Sequence, residues 1–536
     1  MKNLLPRCAA LAAALILSSA AILDNAALAQ ARPVAAATPQ VTPMAAARFL
    51  EQAGFGPTQT SVSQVQALGF SAWIDAQIAL DSTQWSAIPD PSFNAKGNAS
   101  LTPAQAAFFM NAVNGPDQLR QRVALALSEI WVVSGVKLDP QAIVPYLRLL
   151  QADAFVTYDK LMYDVTVSPA MGHYLDMVNN NKASAGHSPD ENYAREAMQL
   201  FTIGLDQLDA YGRVIRDSTG STIPTFDQDV VEGFSAAYTG WTYAPAVGAA
   251  KSKFPNPANW TAPMVAFEAN HDTHPKQLLN GYIMPAGQTA EEDLQGALAN
   301  LFTHTNIGPF VCRQLIQHLV TSDPSDAYVY RVTNVFNQSP RGNLAAVVKA
   351  ILLDPEARQG DDGTENAATK LREPVLWIPT FLRGLNATVT STNNLTGQAT
   401  NLGQQLYYSP SVFNYFSPGY RINVSDTQSA NAPEFQLLSE ATAAATADLV
   451  NTFAYGSVGG VTIDLSPYTA ILGTKPKAAE IGTMVDQLNT NLMGGRMPTT
   501  MRQSIILAAE GAATPKAMVQ SAVYLIGSSW NYQVER

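Results

Sequence analysis

The sequence has few cysteines, few charged residues and no cluster of basic residues. Only 2 of the 536 residues are cysteine, which excludes a disulfide framework and a cysteine-rich metal site. Charged residues make up 14% of the chain, below the roughly 25% of an average soluble domain. The net charge is −11 and no Lys/Arg-rich run is present, which argues against nucleic acid and anionic membranes as partners.

Sequence signatures of well-known enzyme classes are also missing. The chain contains no Gly-x-Ser-x-Gly elbow, no Walker loop and no dinucleotide fingerprint, so no cofactor is indicated. It shows no internal repeat of fixed period, and after residue 29 no apolar run reaches the 18 or so residues of a membrane span. Hydrophobic residues nevertheless make up 47% of the chain, enough for a large core.

The first 29 residues have the pattern of a secretory signal. Lys2 and Arg7 precede an apolar run over residues 8–23, and small residues, Ala27 and Ala29, stand before Gln30. A membrane anchor is the alternative, but the apolar run is short for a span. We expect cleavage near Ala29 and export to the periplasm or beyond. Residues 30–43 are expected to form a linker.

The rest of the chain, residues 44–536, shows mainly helical periodicity. Apolar residues recur at helical spacing in 117–131 and 225–241, whereas strand-like alternation is confined to short pieces near 214–215 and 461–465. The pattern predicts a mainly α protein: a large multi-helix domain with long loops and minor β ribbons. Residues 243–270 and 385–405 are expected to be long connections, and a C-terminal helical lobe can begin near residue 376.

Polar residues are densest in segment 164–204. Ser168 and Pro169 are expected to start one helix, which carries His173 and Asp176 on one face. Ser188 and Glu191 have the spacing of a capping box, which predicts a second helix from that point.

The second helix carries the remaining candidates of this segment. Glu191 and Arg195 form an i, i+4 pair, and Glu196 is expected to lie in a partly buried network next to His173. His173, Asp176, Glu191, Arg195 and Glu196 are therefore candidate catalytic residues, because carboxylates and imidazole serve acid/base chemistry. The alternative is a structural polar network that ties two helices together.

Several segments together resemble a known family. They are LRQRVALALSEIWVVS (119–134), the 164–204 segment, VVEGFSAAYTGW (230–241), PFVCRQLIQHLVTSDPS (309–325), AILLDPEAR (350–358), KLREPVL (370–376) and SPSVFNYFSPGY (409–420). In this order they resemble the bacterial domain of unknown function 1800 family, from about residue 45 to the C-terminus. Trp530-Asn531 near the end departs from the pattern.

The resemblance implies a large, mostly helical, exported protein without an established activity. It also implies a candidate partner, because genes of this family often neighbour those of a second exported family, domain of unknown function 1501, which looks like the alkaline-phosphatase and sulfatase superfamily.

Two further segments contain candidate ligand residues. His271 and His274 are spaced to hold a metal together with Asp272 or Glu268, although a solvated loop is the alternative. Tyr415 and Phe416 lie in an aromatic segment between prolines. This segment can line a groove for a sugar or a peptide, or it can plug into the core.

Two functions remain open at this point. The first is an exported binding or assembly factor that acts with a co-exported partner on cell-surface or polysaccharide material. The second is a periplasmic hydrolase or lyase that uses the His/Glu/Asp constellation at 173–196.

Overall fold

The computed structural model describes residues 41–246, 248, 253–364 and 369–535. The predicted signal sequence and all but the last residues of the predicted linker lie outside these ranges. From Val41 onward the chain groups into a single unit.

Helices dominate the described residues. The chain up to residue 303 contains α1 (Pro43–Ala53), α2 (Gln59–Leu68), α3 (Phe70–Ile78), α4 (Thr102–Asn114), α5 (Gln118–Ile130), α6 (Pro140–Ala152), α7 (Tyr158–Thr166), α8 (Pro169–Tyr174), α9 (Asn192–Glu196), α10 (Gln228–Ala237) and α11 (Ala290–Thr303). The chain after residue 303 contains α12 (Ile307–Leu319), α13 (Asp326–Phe336), α14 (Leu344–Leu353), α15 (Pro374–Gly384), α16 (Asn393–Asn401), α17 (Glu440–Tyr455), α18 (Ser466–Leu472), α19 (Ala478–Met493), α20 (Thr499–Glu510), α21 (Pro515–Ser528) and α22 (Trp530–Gln533).

The strands are short and form antiparallel two-stranded ribbons. These are β1 (Ser92–Phe93) with β2 (Ala99–Ser100), β3 (Trp241–Thr242) with β4 (Val265–Ala266), β5 (Lys276–Gln277) with β6 (Ile283–Met284), β7 (Lys370–Leu371) with β12 (Val534–Glu535), β8 (Thr388–Val389) with β11 (Val461–Thr462), and β9 (Arg421–Asn423) with β10 (Ser429–Asn431). The predicted mainly α class with minor β ribbons is confirmed.

Local capping signals explain where many helices begin and end. The Asp227 side chain accepts a hydrogen bond from Val230 N at 3.0 Å and starts α10. Gly494 ends α19 in the left-handed conformation, with φ of 58°. One boundary prediction is wrong, because the predicted connection 385–405 contains α16.

The buried apolar residues form two clusters within the unit. The first is built by elements up to Ala357, and the second mainly by residues 375–532 together with α4. Buried ion pairs lie where these parts meet, among them the pair of Arg372 with Glu51 at 2.9 Å. Charged groups are therefore buried between the two clusters as well as exposed at the surface.

No helix within the described ranges is long and apolar enough to cross a membrane. Helices α17 and α19 have 16 residues each, and a spanning helix needs about 20 mainly apolar residues.

Candidate functional site

The predicted polar segment contains the two expected helices, but the second begins later than predicted. Ser168 is the N-cap residue of α8, as predicted. The capping box from Ser188 is wrong, because α9 begins at Asn192. The Asn180 amide accepts from Asp190 N at 2.8 Å and donates to Asp190 O at 3.0 Å. These backbone groups are therefore held by a side chain instead of a helical turn.

His173 lies among aromatic rings rather than beside Glu196. Its Nδ1 is 2.7 Å from the Tyr243 hydroxyl, and its ring packs edge-on to Trp260 with centroids 5.5 Å apart. Burial, together with the nearby charge of Lys137, lowers the pKa of His173. No hydrogen bond joins His173 to Glu196, so the expected pairing is wrong.

Asp176 is held by two partners in an uncommon backbone conformation. Lys137 Nζ lies 2.9 and 3.0 Å from its two carboxylate oxygens, and Asn192 Nδ2 donates to it at 3.0 Å. The φ angle of Asp176 is 62°, a region that few non-glycine residues adopt. Such conformations occur preferentially at ligand sites.

Glu191 and Arg195 form the predicted i, i+4 pair. Arg195 Nη2 lies 2.6 Å from Glu191 Oε2, and Gln228 hydrogen-bonds both residues. Because both charges are partly exposed, the pair contributes at most about 1 kcal/mol. Its contacts are those of a surface network between α9 and α10.

Glu196 differs from its neighbours because its carboxyl group is incompletely paired. Its Oε2 is buried and has no hydrogen-bond partner among the residues that the structure describes, and burial raises the pKa of the group. The helix continues directly into a π-helix, Ala197–Thr202. Single π-helical turns are frequent at functional sites.

The two histidines proposed as a metal pair have different surroundings. His271 is fully buried, with Nδ1 3.0 Å from Thr239 O and Nε2 2.9 Å from Asp293 Oδ2. Both ring nitrogens of His271 therefore contact other protein groups. The His274 side chain is 85% exposed and pairs with Asp272 at 3.3 Å. Metal binding by this pair stays a prediction.

Tyr415 and Phe416 differ in exposure. Phe416 is buried and packs near His318, with ring centroids 6.3 Å apart. The Tyr415 hydroxyl donates to Gln405 O and accepts from Tyr408 N at 3.1 Å. The Tyr415 ring lines a cavity. Ligand binding by these two residues stays a prediction.

The structure brings together a constellation that sequence reasoning missed. Glu129 of α5, His318 of α12 and Glu373, which precedes α15, are all buried, and their ligand-type atoms lie within 4.8 Å of one another. Among the described residues this is the one group of three or more His, Cys, Asp or Glu with that geometry. His318 Nδ1 is 3.0 Å from Glu129 Oε2.

The electrostatics of the constellation follow from its burial. Burial raises the pKa of Glu129, and burial together with the charge of Glu129 raises the pKa of Glu373 to about 7. Burial and the nearby Lys370 lower the pKa of His318 to about 4. At neutral pH the imidazole of His318 is therefore neutral.

A weak sequence signal for this constellation did exist. Glu129 and His318 each lie among the apolar residues of a predicted helix, and charged side chains are seldom buried in such positions without a partner. All three residues lie in segments that carry the family resemblance. Their convergence could not be read from spacing, because they are far apart in the chain.

One surface segment of the protein carries several exposed apolar side chains. Residues 205–224, here called the arm, form a small meander with isolated bridges Asp206–Pro224, Leu208–Val214 and Arg216–Thr222. All of residues 213–224 are exposed. Of the 17 large apolar residues exposed in the described ranges, five lie in the arm: Leu205, Tyr211, Val214, Ile215 and Ile223.

Comparison with known proteins gives one match. A family model described as "Protein of unknown function (DUF1800)" matches residues 48–534. The comparisons with curated proteins and with solved structures gave no match.

Proposed function

The chain belongs to the DUF1800 family of proteins of unknown function, and from this premise we propose that it is an exported binding or assembly factor. In this proposal it acts with a co-exported partner on cell-surface or polysaccharide material. Export is supported by the signal-like residues 1–29. N-terminal sequencing of the exported protein should give Gln30 or a neighbouring residue, and an intact Met1 would contradict export with cleavage.

The exposed arm is the observation that carries the binding function. Its base is fastened by the buried Asn306, whose Nδ2 donates to Ile203 O and Asp206 O at 2.8 Å each and whose Oδ1 accepts from Leu208 N at 2.9 Å. Tyr211 stacks on Tyr330 with centroids 4.4 Å apart. The arm is therefore a fixed platform, and concentrated exposed apolar side chains on a fixed platform are typical of protein-binding surfaces.

The arrangement of the predicted catalytic residues also favours binding over catalysis at segment 164–204. His173 binds Tyr243, Asp176 binds Lys137, and Glu191 binds Arg195. These are separate contacts with separate partners. A nucleophile or general acid with an orienting base would need them in one group.

The experiment measures how much partner is captured by the unaltered full-length protein, by one double variant in the arm and by one single-site control variant. The bait is the exported protein, and the tested partner is a co-exported protein of the domain of unknown function 1501 family. Replacing Val214 and Ile215 by Ser should reduce recovery of this partner at least tenfold, the loss expected for about 1.4 kcal/mol of binding free energy. Leu507→Ser is the matched control, because Leu507 is 68% exposed on α20 outside the arm.

Thermal unfolding should be unchanged in both variants, since the altered side chains are exposed. Equal recovery by the arm variant and the control, or no recovery by the unaltered protein, would contradict the proposal.

A hydrolase or lyase is the second candidate, and one observation favours it. Asn192, which holds Asp176, and Glu196 are one helical turn apart on α9. Asp176 is paired with Lys137, whereas burial raises the pKa of Glu196. Two carboxyl groups in such different surroundings are what glycoside cleavage requires.

Glu196→Gln tests this second candidate. The fold should be kept, because the two side chains are nearly isosteric and Glu196 Oε2 has no hydrogen-bond partner to lose in the described part of the chain. Activity against polysaccharide substrates should be abolished if Glu196 is the proton donor. Glu232→Gln, at an exposed position of α10, is the control. Equal activity of both variants would remove Glu196 from the mechanism.

A further inference from the structure

We infer that Glu129, His318 and Glu373 form a binding site for one divalent transition-metal cation. The three residues come from three different elements, the end of α5, the last turn of α12 and the start of α15, and meet with ligand-type atoms within 4.8 Å of one another. All three are at most 7% exposed. A buried cluster of two carboxyls and an imidazole is costly unless something holds it together.

Neighbouring groups hold the three side chains in place. Gln404 Nε2 donates to Glu373 Oε2 at 2.7 Å and lies 3.4 Å from Glu129 Oε1. Lys370 Nζ donates to the backbone carbonyl of His318 at 3.0 Å. Metal ligands are commonly oriented by outer hydrogen bonds of this kind.

The two ligand carboxyls have little cationic compensation of their own. Lys370 lies 3.4 Å from Glu373 but is shared with Glu434 at 3.3 Å. A divalent cation bound between Glu129 and Glu373 would offset the charge of the two buried ligand carboxylates.

The donor types indicate which cation the site takes. Ca²⁺ and Mg²⁺ prefer oxygen ligands alone, whereas one imidazole nitrogen with two carboxylate oxygens suits Zn²⁺ and its first-row neighbours. Three protein ligands leave at least one coordination position for a water molecule, as in catalytic zinc sites.

A cavity next to Glu129 provides an independent reason to place a water there. It has a volume of about 20 Å³ and is also lined by Asn414 and Tyr415, and this volume is sufficient for one water molecule. Asn414 is 5% exposed, and its Nδ2 has no hydrogen-bond partner among the described residues. A metal-bound water in this cavity would accept the missing hydrogen bond.

The test is titration of the metal-stripped, full-length mature protein with ZnCl₂, followed by isothermal calorimetry and by thermal unfolding. We expect one Zn²⁺ per chain and a rise of the unfolding midpoint that MgCl₂ does not reproduce. Glu129→Gln and Glu373→Gln should each weaken Zn²⁺ binding by more than about tenfold, because even a lost second-shell contact weakens a metal site that much.

Two further variants are the controls. Glu434→Gln changes a buried carboxyl of the same network, which binds Lys370 and Ser322 but lies outside the three-residue group. His274→Ala removes the exposed histidine of the other candidate pair. Both should bind Zn²⁺ like the unaltered protein.

Two results would overturn the inference. One is the absence of Zn²⁺ binding by the unaltered protein, a measurement that does not depend on any variant folding. The other is unchanged Zn²⁺ binding in both Glu129→Gln and Glu373→Gln. If His274→Ala then abolishes Zn²⁺ binding, the ion belongs to the pair of His271 and His274.

Discussion

The ionisation of Asp153 should affect stability. Its side chain is 8% exposed, its Oδ2 is buried with no hydrogen-bond partner within the described ranges, and Lys160 approaches only to 3.8 Å. Burial and the neighbouring Asp164 carboxyl raise the pKa of Asp153 to about 7. Since the folded-state pKa lies above the unfolded one, the protonated carboxyl stabilises the fold at low pH. This stability is present below about pH 4 and is lost as the pH rises through 7.

Asp153→Asn should remove this pH dependence. Relative to the variant, the free energy of unfolding of the unaltered protein should fall between pH 4 and pH 8, as measured by denaturant unfolding at several pH values. Asp159→Asn, at an exposed position of α7, is the control and should follow the unaltered protein. Parallel curves for Asp153→Asn and the unaltered protein would show that Asp153 ionises normally in the fold.

At the scale of single elements, the start of α9 depends on Asn180 and not on Ser188. Asn180 is 6% exposed and makes two hydrogen bonds to the Asp190 backbone. Asn180→Ala should lower the free energy of unfolding by about 1–3 kcal/mol, because the Asp190 groups lose their partner. Ser188→Ala should change it by less than about 0.5 kcal/mol, as for an ordinary surface position. A lower denaturation midpoint for Ser188→Ala than for Asn180→Ala would instead support the capping box at Ser188.

Replacing two helical glycines by alanine should change the stability of the protein in opposite directions. A Cβ on Gly233 of α10 would lie 1.8 Å from Gln277 O of β5, so the backbones would have to separate. Gly233→Ala should therefore destabilise by more than the roughly 1–3 kcal/mol of ordinary overpacking. A Cβ on Gly397 of α16 would meet nothing within 4 Å, and Gly397→Ala should stabilise by up to about 1 kcal/mol through helix propensity. Thermal unfolding of the two variants checks both signs.

At the scale of the whole molecule, buried ion pairs connect the first helix to the end of the chain. Glu51 of α1 pairs with Arg372 at 2.9 Å and with Arg496 at 2.7 Å, and Arg372 also donates to Tyr532 O. The Glu51 side chain is 1% exposed. Breaking a buried pair costs about 3–5 kcal/mol because the remaining charge stays buried.

Glu51→Gln should therefore lower the free energy of unfolding by about that amount. Asp90→Asn is the matched control, since Asp90 pairs with Arg148 at 2.8 Å in an exposed position and should cost at most about 1 kcal/mol. Chemical denaturation of both variants gives the comparison, and equal losses would mean that Glu51 does not hold the chain ends together.

The predictions from sequence were most successful where local chemistry decides the structure. The apolar periods of 117–131 and 225–241 correspond to α5 and α10, because helix formation depends on residues three or four positions apart. Predictions were wrong where a side chain from another part of the chain formed hydrogen bonds with backbone groups that were expected to belong to a helix. At Asp190 the competing partner was Asn180, which displaced the predicted cap at Ser188.

The sequence by itself determined the mainly helical class and the family, because both follow from local periodicity and from ordered segments that can be read along the chain. It also singled out Asp176, Glu191 and Glu196 as chemically capable residues. Only the tertiary structure decided which groups share a site. Helix α5 packs with α12 in the first apolar cluster and contributes Leu125 to the second, which contains α15. This packing brings Glu129, His318 and Glu373 into one buried cluster that no spacing along the chain encodes.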